Sequence, residues 1–375
     1  MKKLKNYSVF TVLTLLLLAS CHKDQMASAA GSATGGQPTT TSGGQPATAP
    51  GSLYVLSSGK LSAYTIDSAT VLNVPHYTTG SLMSYNFASK KLIADQYSMA
   101  NGTLINGGTN LYIYGSKMYI ISDGTISVVD AKTSKLIKQV KIDLQNINYP
   151  TGVAFYKDNL FLSVGGITVY DTTALAVTKT INGFGGAGLA VANGKLYVAD
   201  PYNMNSVVAV FDLATLTLDA TVNALPETTT IATDGNGNVY ALSPFDDDAG
   251  NTFGGYNGGL SIINSNTNTV SVAQKQGPLN NFTLAAQGNF AYFFDSLNHL
   301  IAYNSTTRTC AEFVTDGTSF IKPTCIAANP ATGEVYVGDA KDKISNGTLY
   351  AFDKTGKLEY TLTTGICPAQ IVLAN

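Results

Sequence analysis

The chain predicts an all-β fold, a seven-bladed β-propeller closed by pairing of its C-terminal strand with the first blade. Three observations lead there. A two-strand unit exemplified by Gly194 to Thr215, GKLYVADPYNMNSVVAVFDLAT, recurs along almost the whole sequence. Its turn residue after the third strand marks a register at Asn86, Asp130, Asp171, Asp212, Asn264, Asn304 and Asp353, at intervals of 40 to 52 residues. Short strands at such a period are the mark of propeller blades, which cannot hide both faces alone and must stack on neighbours. Finally, the terminal segment Pro368 to Asn375 repeats the inner-strand pattern of Pro323 to Asn329, yet no blade follows it. Pairing it with Leu53 to Ser57 would complete blade 1 and remove two open sheet edges.

Composition agrees. At 375 residues a single conventional core would be oversized, whereas a repeat architecture grows by adding blades. Charged residues make up 12% of the chain and hydrophobic ones 45%, with 36 glycines and 21 tyrosines, which suits strands and turns rather than exposed helices. The formal net charge is −2, or −5 without the three leader lysines, and no basic run follows residue 24; a nucleic-acid partner is disfavoured.

At the start of the chain, Lys2, Lys3 and Lys5 precede an apolar run from Val9 to Leu18 that is too short for a stable bilayer span. This reads as a secretory signal over residues 1–20. Leu18-Ala19-Ser20-Cys21 resembles a bacterial lipobox, which implies acylation of Cys21 and a lipid anchor in the outer membrane, facing the cell surface or the periplasm. Residues 21–51 then form a Gly/Ser/Thr/Pro/Gln-rich tether with GGQP at Gly35 and Gly43. It lacks the apolar content to order itself, and its root-mean-square reach would be about 30 Å. The propeller occupies 52–375, expected as a monomer.

Within the repeats, Leu196-Tyr197-Val198, Val335-Tyr336-Val337 and Met118-Tyr119-Ile120 are short β-branched and aromatic runs bounded by turn residues, as in strands. Blade 3 illustrates the pattern, with strands expected at Thr151 to Tyr156, Asn159 to Val164, Ile167 to Asp171 and Ala176 to Ile181. Leu196 to Ala199 with Val208 to Asp212 is similar to the LYVA…VxVxD strands of YVTN-type surface propellers. Met99-Ala100-Asn101-Gly102, followed by Leu111 to Tyr119, resembles YncE-like propeller lipoproteins of Bacteroidetes. That resemblance covers Leu53 to Asn375. It implies fold and surface location; some members of the group capture cobalamin for an outer-membrane transporter, and no binding residue transfers.

The candidate sites are the departures from the repeat, because propeller function usually sits in loops on a rigid scaffold. Long connections between second and third strands occur in blade 1 (Ser58 to Thr79), blade 4 (Asp200 to Asn205), blade 5 (Pro244 to Asn257) and blade 7 (Asp339 to Asn346), whereas blades 2 and 3 have almost none. All such loops emerge on one face. They offer His76, Tyr77, Tyr202, Asn203, Phe245, Phe253 and Tyr256 as ligand-binding candidates, against the alternative of functionless insertions. Asp246, Asp247 and Asp248 could present hard oxygen ligands to Ca²⁺, although their spacing is not that of an EF-hand, and a solvated acidic loop is the competing reading. No other cofactor is expected.

Gly183 to Gly188 matches G-x-G-x-x-G, but the next residues read as a strand, and a dinucleotide needs a helix N-terminus there. The seven turn residues are read as structural rather than as a carboxylate ring. After Cys21 three cysteines remain. Cys325 and Cys367 lie near the starts of consecutive inner strands, where a bridge is possible, leaving Cys310 as a buried spare. With three histidines, no tryptophan, no G-x-S-x-G and no H-E-x-x-H, the inventory favours a binder. The expected role is capture of a small molecule or glycan, with hand-off to a TonB-dependent transporter. A propeller lyase or hydrolase using His76 and a protein-interaction scaffold are the alternatives.

Overall fold

A strand sandwiched between two neighbouring sheets must be apolar on both sides, and the computed structural model shows this arrangement seven times over. It describes residues 50–67, 72–122, 124–142, 152–184, 188–199, 207–225, 228–243, 258–277, 279 and 283–374. Seven four-stranded antiparallel sheets form the blades, and a separate two-stranded sheet, Lys60–Asp67 with Leu72–Thr78, is inserted in blade 1. Blade 1 takes its inner strand, Pro368–Ala374, from the end of the chain and its second, Ser52–Ser57, from the start. Leu53 lies opposite Leu373 and Val55 opposite Ile371. The ring is therefore complete within the described residues. The strands of blade 3, Val153–Tyr156, Asn159–Ser163, Ile167–Asp171 and Val177–Ile181, fall within a residue or two of those expected.

Alternate side chains of each strand serve alternate interfaces. Leu196 and Val198 pack with Phe161 and Val169 between blades 3 and 4, whereas Tyr197 and Ala199 pack with Ile231 and Val239 between blades 4 and 5. Seven such apolar clusters fill the seven blade junctions. Because side chains alternate with period two, each second strand reads as a continuous apolar run.

Near its start the second strand carries a tyrosine in six blades (Tyr54, Tyr119, Tyr197, Tyr240, Tyr292 and Tyr336) and Phe161 in blade 3. A buried tyrosine must place its hydroxyl on a partner. The Tyr54 hydroxyl donates to the Ala131 carbonyl at 3.1 Å, Tyr119 to that of Thr172 at 3.3 Å, and Tyr197 to that of Ser265 at 3.3 Å. Each acceptor is the residue directly after the register-marking Asp or Asn of an adjoining blade. Burial pushes the Tyr119 and Tyr197 phenols up to about 12, so they remain donors throughout the physiological range.

The register residues themselves hold the turns between third and outer strands. Asp130 Oδ1 accepts from the amides of Lys132 and Thr133 and from the Thr133 hydroxyl, and Asp212 Oδ1 accepts from Ala214, Thr215 and the Thr215 hydroxyl. Asn86, Asp171, Asn264, Asn304 and Asp353 receive equivalent bonds. These are Asx turns, in which a side-chain oxygen caps backbone donors.

None of the three cysteines among the described residues, Cys310, Cys325 and Cys367, is in a disulfide. The bridge considered between Cys325 and Cys367 is not formed, for a packing reason. Cys325 turns into the junction of blades 7 and 1 beside Gly338, where a Cβ on that glycine would come within 2.5 Å of its sulfur. Cys367 sits in the tight turn before the last strand at φ 52° and aims its thiol at the Lys343 carbonyl, 3.7 Å away. Burial pushes the Cys325 thiol up to about 12. Gly183 to Gly188 leads into the strand Leu189–Ala192, and Gly188 lies close against Ile231, where a Cβ would be 2.7 Å from its amide nitrogen; the glycine serves inter-blade approach.

Two outcomes are expected. Turn amides hold the Asp130, Asp171 and Asp212 carboxyls below their ordinary value, foremost the N–H groups of Thr133, Ala174 and Thr215. A depressed folded pKa gives stability that is present above the unfolded value and lost as pH falls through the folded one. The urea midpoint should thus be flat near neutrality and fall below about pH 4, and Asn at all three positions should flatten the acid limb. For the thiols, a dithionitrobenzoate titration of the folded protein at neutral pH should spare Cys325, and non-reducing denaturation should release all three thiols of the chain from His22 onward.

Candidate functional site

The connections from second to third strands and those from each outer strand to the next blade emerge on the same face. On it, the longest blade-to-blade connector with described structure runs from blade 1 to blade 2, residues 94–109, and contains the helix Gln96–Asn101. The helix is short, so its ends decide its stability: Asp95 Oδ1 accepts from Ser98 N at 3.1 Å, and Gly102 closes the other end at φ 69°. Asn101 ties it to blade 2. Its amide nitrogen donates to Tyr97 O and Ser134 O at 3.0 and 2.8 Å, and its amide oxygen accepts from Leu136 N at 2.7 Å. Tyr97 and Ile105 anchor the connector in the apolar junction between blades 1 and 2.

Where the connector leans over blade 2 it leaves a cavity of about 230 Å³, lined by Tyr97, Leu104, Ile105, Asn106, Ser122, Thr125, Ser127 and Gln139. None of these side chains carries a charge. Ser127 is 3% exposed and Ser122 8%, so both hydroxyls are set into the wall rather than standing in solvent. Gln139 Nε2 donates to Ser127 Oγ at 2.7 Å, and the hydroxyls of Ser122 and Thr125 lie 2.8 Å apart. These bonds orient the groups while using only part of their capacity. A hydroxyl has one donor and two acceptor positions, and an amide side chain four positions in all. Such a surface suits a neutral ligand that both donates and accepts, with Tyr97, Leu104 and Ile105 supplying apolar contact.

The hairpin insertion of blade 1 stands beside this connector. Gly80 bridges to Ile105, Gly107 N donates to Ser58 O at 3.2 Å, and Ser58 Oγ to Gly108 O at 2.7 Å. The hairpin carries two of the expected ligand residues, His76 and Tyr77, both half-buried. They are successive residues of the strand Leu72–Thr78, paired with Ala63 and Leu61 across the hairpin. Tyr202, Asn203, Phe245, Phe253, Tyr256 and the possible calcium ligands Asp246, Asp247 and Asp248 lie outside the described residues, as does Cys21. Among the described residues there is no group of three or more His, Cys, Asp or Glu side chains that could hold a metal ion. His299 pairs with Asp295 at 2.8 Å, but the same carboxylate also accepts from the amides of Leu297 and His299, which makes the pair part of a loop cap.

The cavity lining escaped the sequence reading, which looked to insertions within blades and judged blade 2 plain. Its weak signals are Asp95 and Gly102 bracketing a six-residue helix.

No protein-family model matches the chain, and no match is found among curated proteins. Among solved structures it is similar to a quinonprotein alcohol dehydrogenase-like protein from Bacteroides thetaiotaomicron VPI-5482, with a TM-score of 0.61 at 18% identity over 85% of this chain and 79% of that one. It also resembles Kuenenia stuttgartiensis hydrazine synthase (TM-score 0.55, 14% identity, 68% of this chain and 86% of that one). A third likeness is to the computationally designed Ika8 protein (TM-score 0.53, 14% identity, 85% and 92%). At these identities the likeness defines the fold, a seven-bladed β-propeller, and nothing finer.

Asn101→Ala should cost about 1–2 kcal/mol through its lost bonds, read as a lowered thermal midpoint. Amides of the helix Gln96–Asn101 should then exchange hydrogen faster than those of blade 2.

Proposed function

We propose that the chain is an envelope-tethered binding propeller that takes up a neutral, hydroxyl-rich small molecule, such as one sugar unit of a glycan, on its loop face. The observation that carries this reading is the cavity at the connector between blades 1 and 2. It combines five uncharged hydrogen-bonding side chains with an aromatic and two aliphatic ones. Small-molecule sites are mostly concave, with a few placed polar groups, and typically reach ~300–1,000 Å³. At about 230 Å³ the cavity suits a single ring. A corrinoid is far larger than this space, so the glycan alternative is favoured over cobalamin despite the resemblance to YncE-like propellers. Anionic ligands are disfavoured by the absence of a cationic lining side chain.

In the full setting, Cys21 would anchor the protein in the outer membrane and residues 21–51 would let the propeller reorient, so that bound ligand could pass to a TonB-dependent transporter. The lipobox-like sequence and the tether composition support that setting. Calorimetry of the chain from His22 onward against a panel of neutral oligosaccharides tests the reading. Binding is expected, with Ser127→Val and Gln139→Leu each weakening it by about tenfold at an unchanged thermal midpoint. Silence across the panel, or binding indifferent to both substitutions, would sink it.

A further inference from the structure

On the same face, at blades 6 and 7, on the other side of blade 1 from the cavity, three aliphatic side chains stand out of the protein. Leu297 is 71% exposed, Ile321 70% and Ile344 63%. They come from three different connections that are bonded into one platform. Asn298 Nδ2 donates to Ile321 O at 3.1 Å, joining the first two. The carboxylate of Asp339, fully buried, accepts from Ile321 N, Lys322 N and Lys341 N at 2.8 to 2.9 Å, joining the second to the third. Ala340 N bonds to Lys322 O at 2.9 Å, and Asp342 caps the amides of Ile344 and Ser345. Beneath Ile321, the ring of Phe320 packs edge-on against Phe294, Tyr350 and Phe352. The three aliphatic groups are thus presented by a fixed base.

Lysines flank them. Lys322, Lys341 and Lys343 belong to the same two connections. Lys343 is held below the ordinary lysine value by desolvation and by the nearby Lys322 charge. Two like charges set side by side favour an anion between them. Of the neighbouring carboxylates, Asp339 is buried on loop amides and Asp295 is bonded to loop amides and His299, whereas Asp342, which caps Ile344 and Ser345, stays exposed between Lys341 and Lys343 in sequence.

We propose that this platform is a membrane-docking surface that seats on an anionic lipid bilayer, with Leu297, Ile321 and Ile344 entering the acyl boundary and Lys322, Lys341 and Lys343 at the headgroup phosphates. The shape favours lipid over a protein partner. Protein interfaces bury their anchors in fitted pockets with flat, shared surroundings, whereas side chains this exposed clear their neighbours and suit a fluid phase that closes around them. Aliphatic groups flanked by lysines on two of their three connections, whose stems lie along apolar surface while the ammonium stays at the interface, have the chemistry of interfacial binding. The surface is separate from the cavity at blades 1 and 2, so either assignment can fail alone.

The test uses the chain from His22 onward, which retains the whole closed ring and lacks the acylation site, in co-sedimentation with vesicles. Phosphatidylglycerol-containing vesicles should pull the protein down and pure phosphatidylcholine vesicles should not. The combined variant Leu297→Ser, Ile321→Ser, Ile344→Ser should lower partitioning by at least about tenfold, and Lys322→Gln or Lys343→Gln by roughly fivefold each, with thermal midpoints unchanged. Ser127→Val should leave partitioning as it is. Failure to bind anionic vesicles, or binding undiminished in the triple variant, overturns the proposal. Capture by an immobilised acidic protein surface without any vesicle binding would also overturn it, in favour of a protein partner.

Discussion

At three of the seven blade junctions a bond from a second-strand tyrosine to the turn of an adjoining blade ties the ring together, while Tyr240 and Tyr336 bond to carboxylates of their own blades. A propeller blade has no free face, so a polar atom on its inner strands has no water to turn to, and an unpaired one costs on the order of 1–3 kcal/mol. Tyrosine resolves the conflict with a long apolar ring that fills the junction and a hydroxyl that reaches out of it. Its partner must be a carbonyl held in place. The Asx turn provides one, since Asp130, Asp171 and Asn264 freeze the backbone whose next carbonyls receive Tyr54, Tyr119 and Tyr197. Two features that look independent in sequence, the apolar triplet and the polar turn residue, are halves of one contact made across a blade boundary. The arrangement docks these blades without tryptophan, of which the chain contains none.

Such a ring is stiff, which leaves the connections free to vary. The two surfaces with most chemical character both depend on polar bonds that run between connections rather than within blades. Asn101 holds the short helix over blade 2, and the buried Asp339 binds two loops through three amides. A buried carboxylate is costly unless hydrogen-bonded, and three amide donors satisfy this one.

The strands were legible because both of their faces are buried, so that Leu160-Phe161-Leu162 or Tyr197-Val198-Ala199 reads as an unbroken apolar run bounded by turns. The closing strand was legible as a repeat with no blade to follow it. The cavity was not, because its walls come from segments that no local pattern joins. Ser127 looks in sequence like the solvent side of a strand, and it is buried because a connector from the preceding blade covers it. The absence of a bridge between Cys325 and Cys367 was equally hidden. Their strands are neighbours, but only the packing beside Gly338 and the reversed backbone at Cys367 show that the two thiols diverge.

Closure by opposite ends of the chain also sets an order of events. Leu53 can meet Leu373 only after every blade between them has been made, so synthesis from the N-terminus leaves the founding strand with an open edge until the last seven-residue strand arrives. Bringing such distant segments together is slow, since the entropy of closing a long loop must be met before its contacts form.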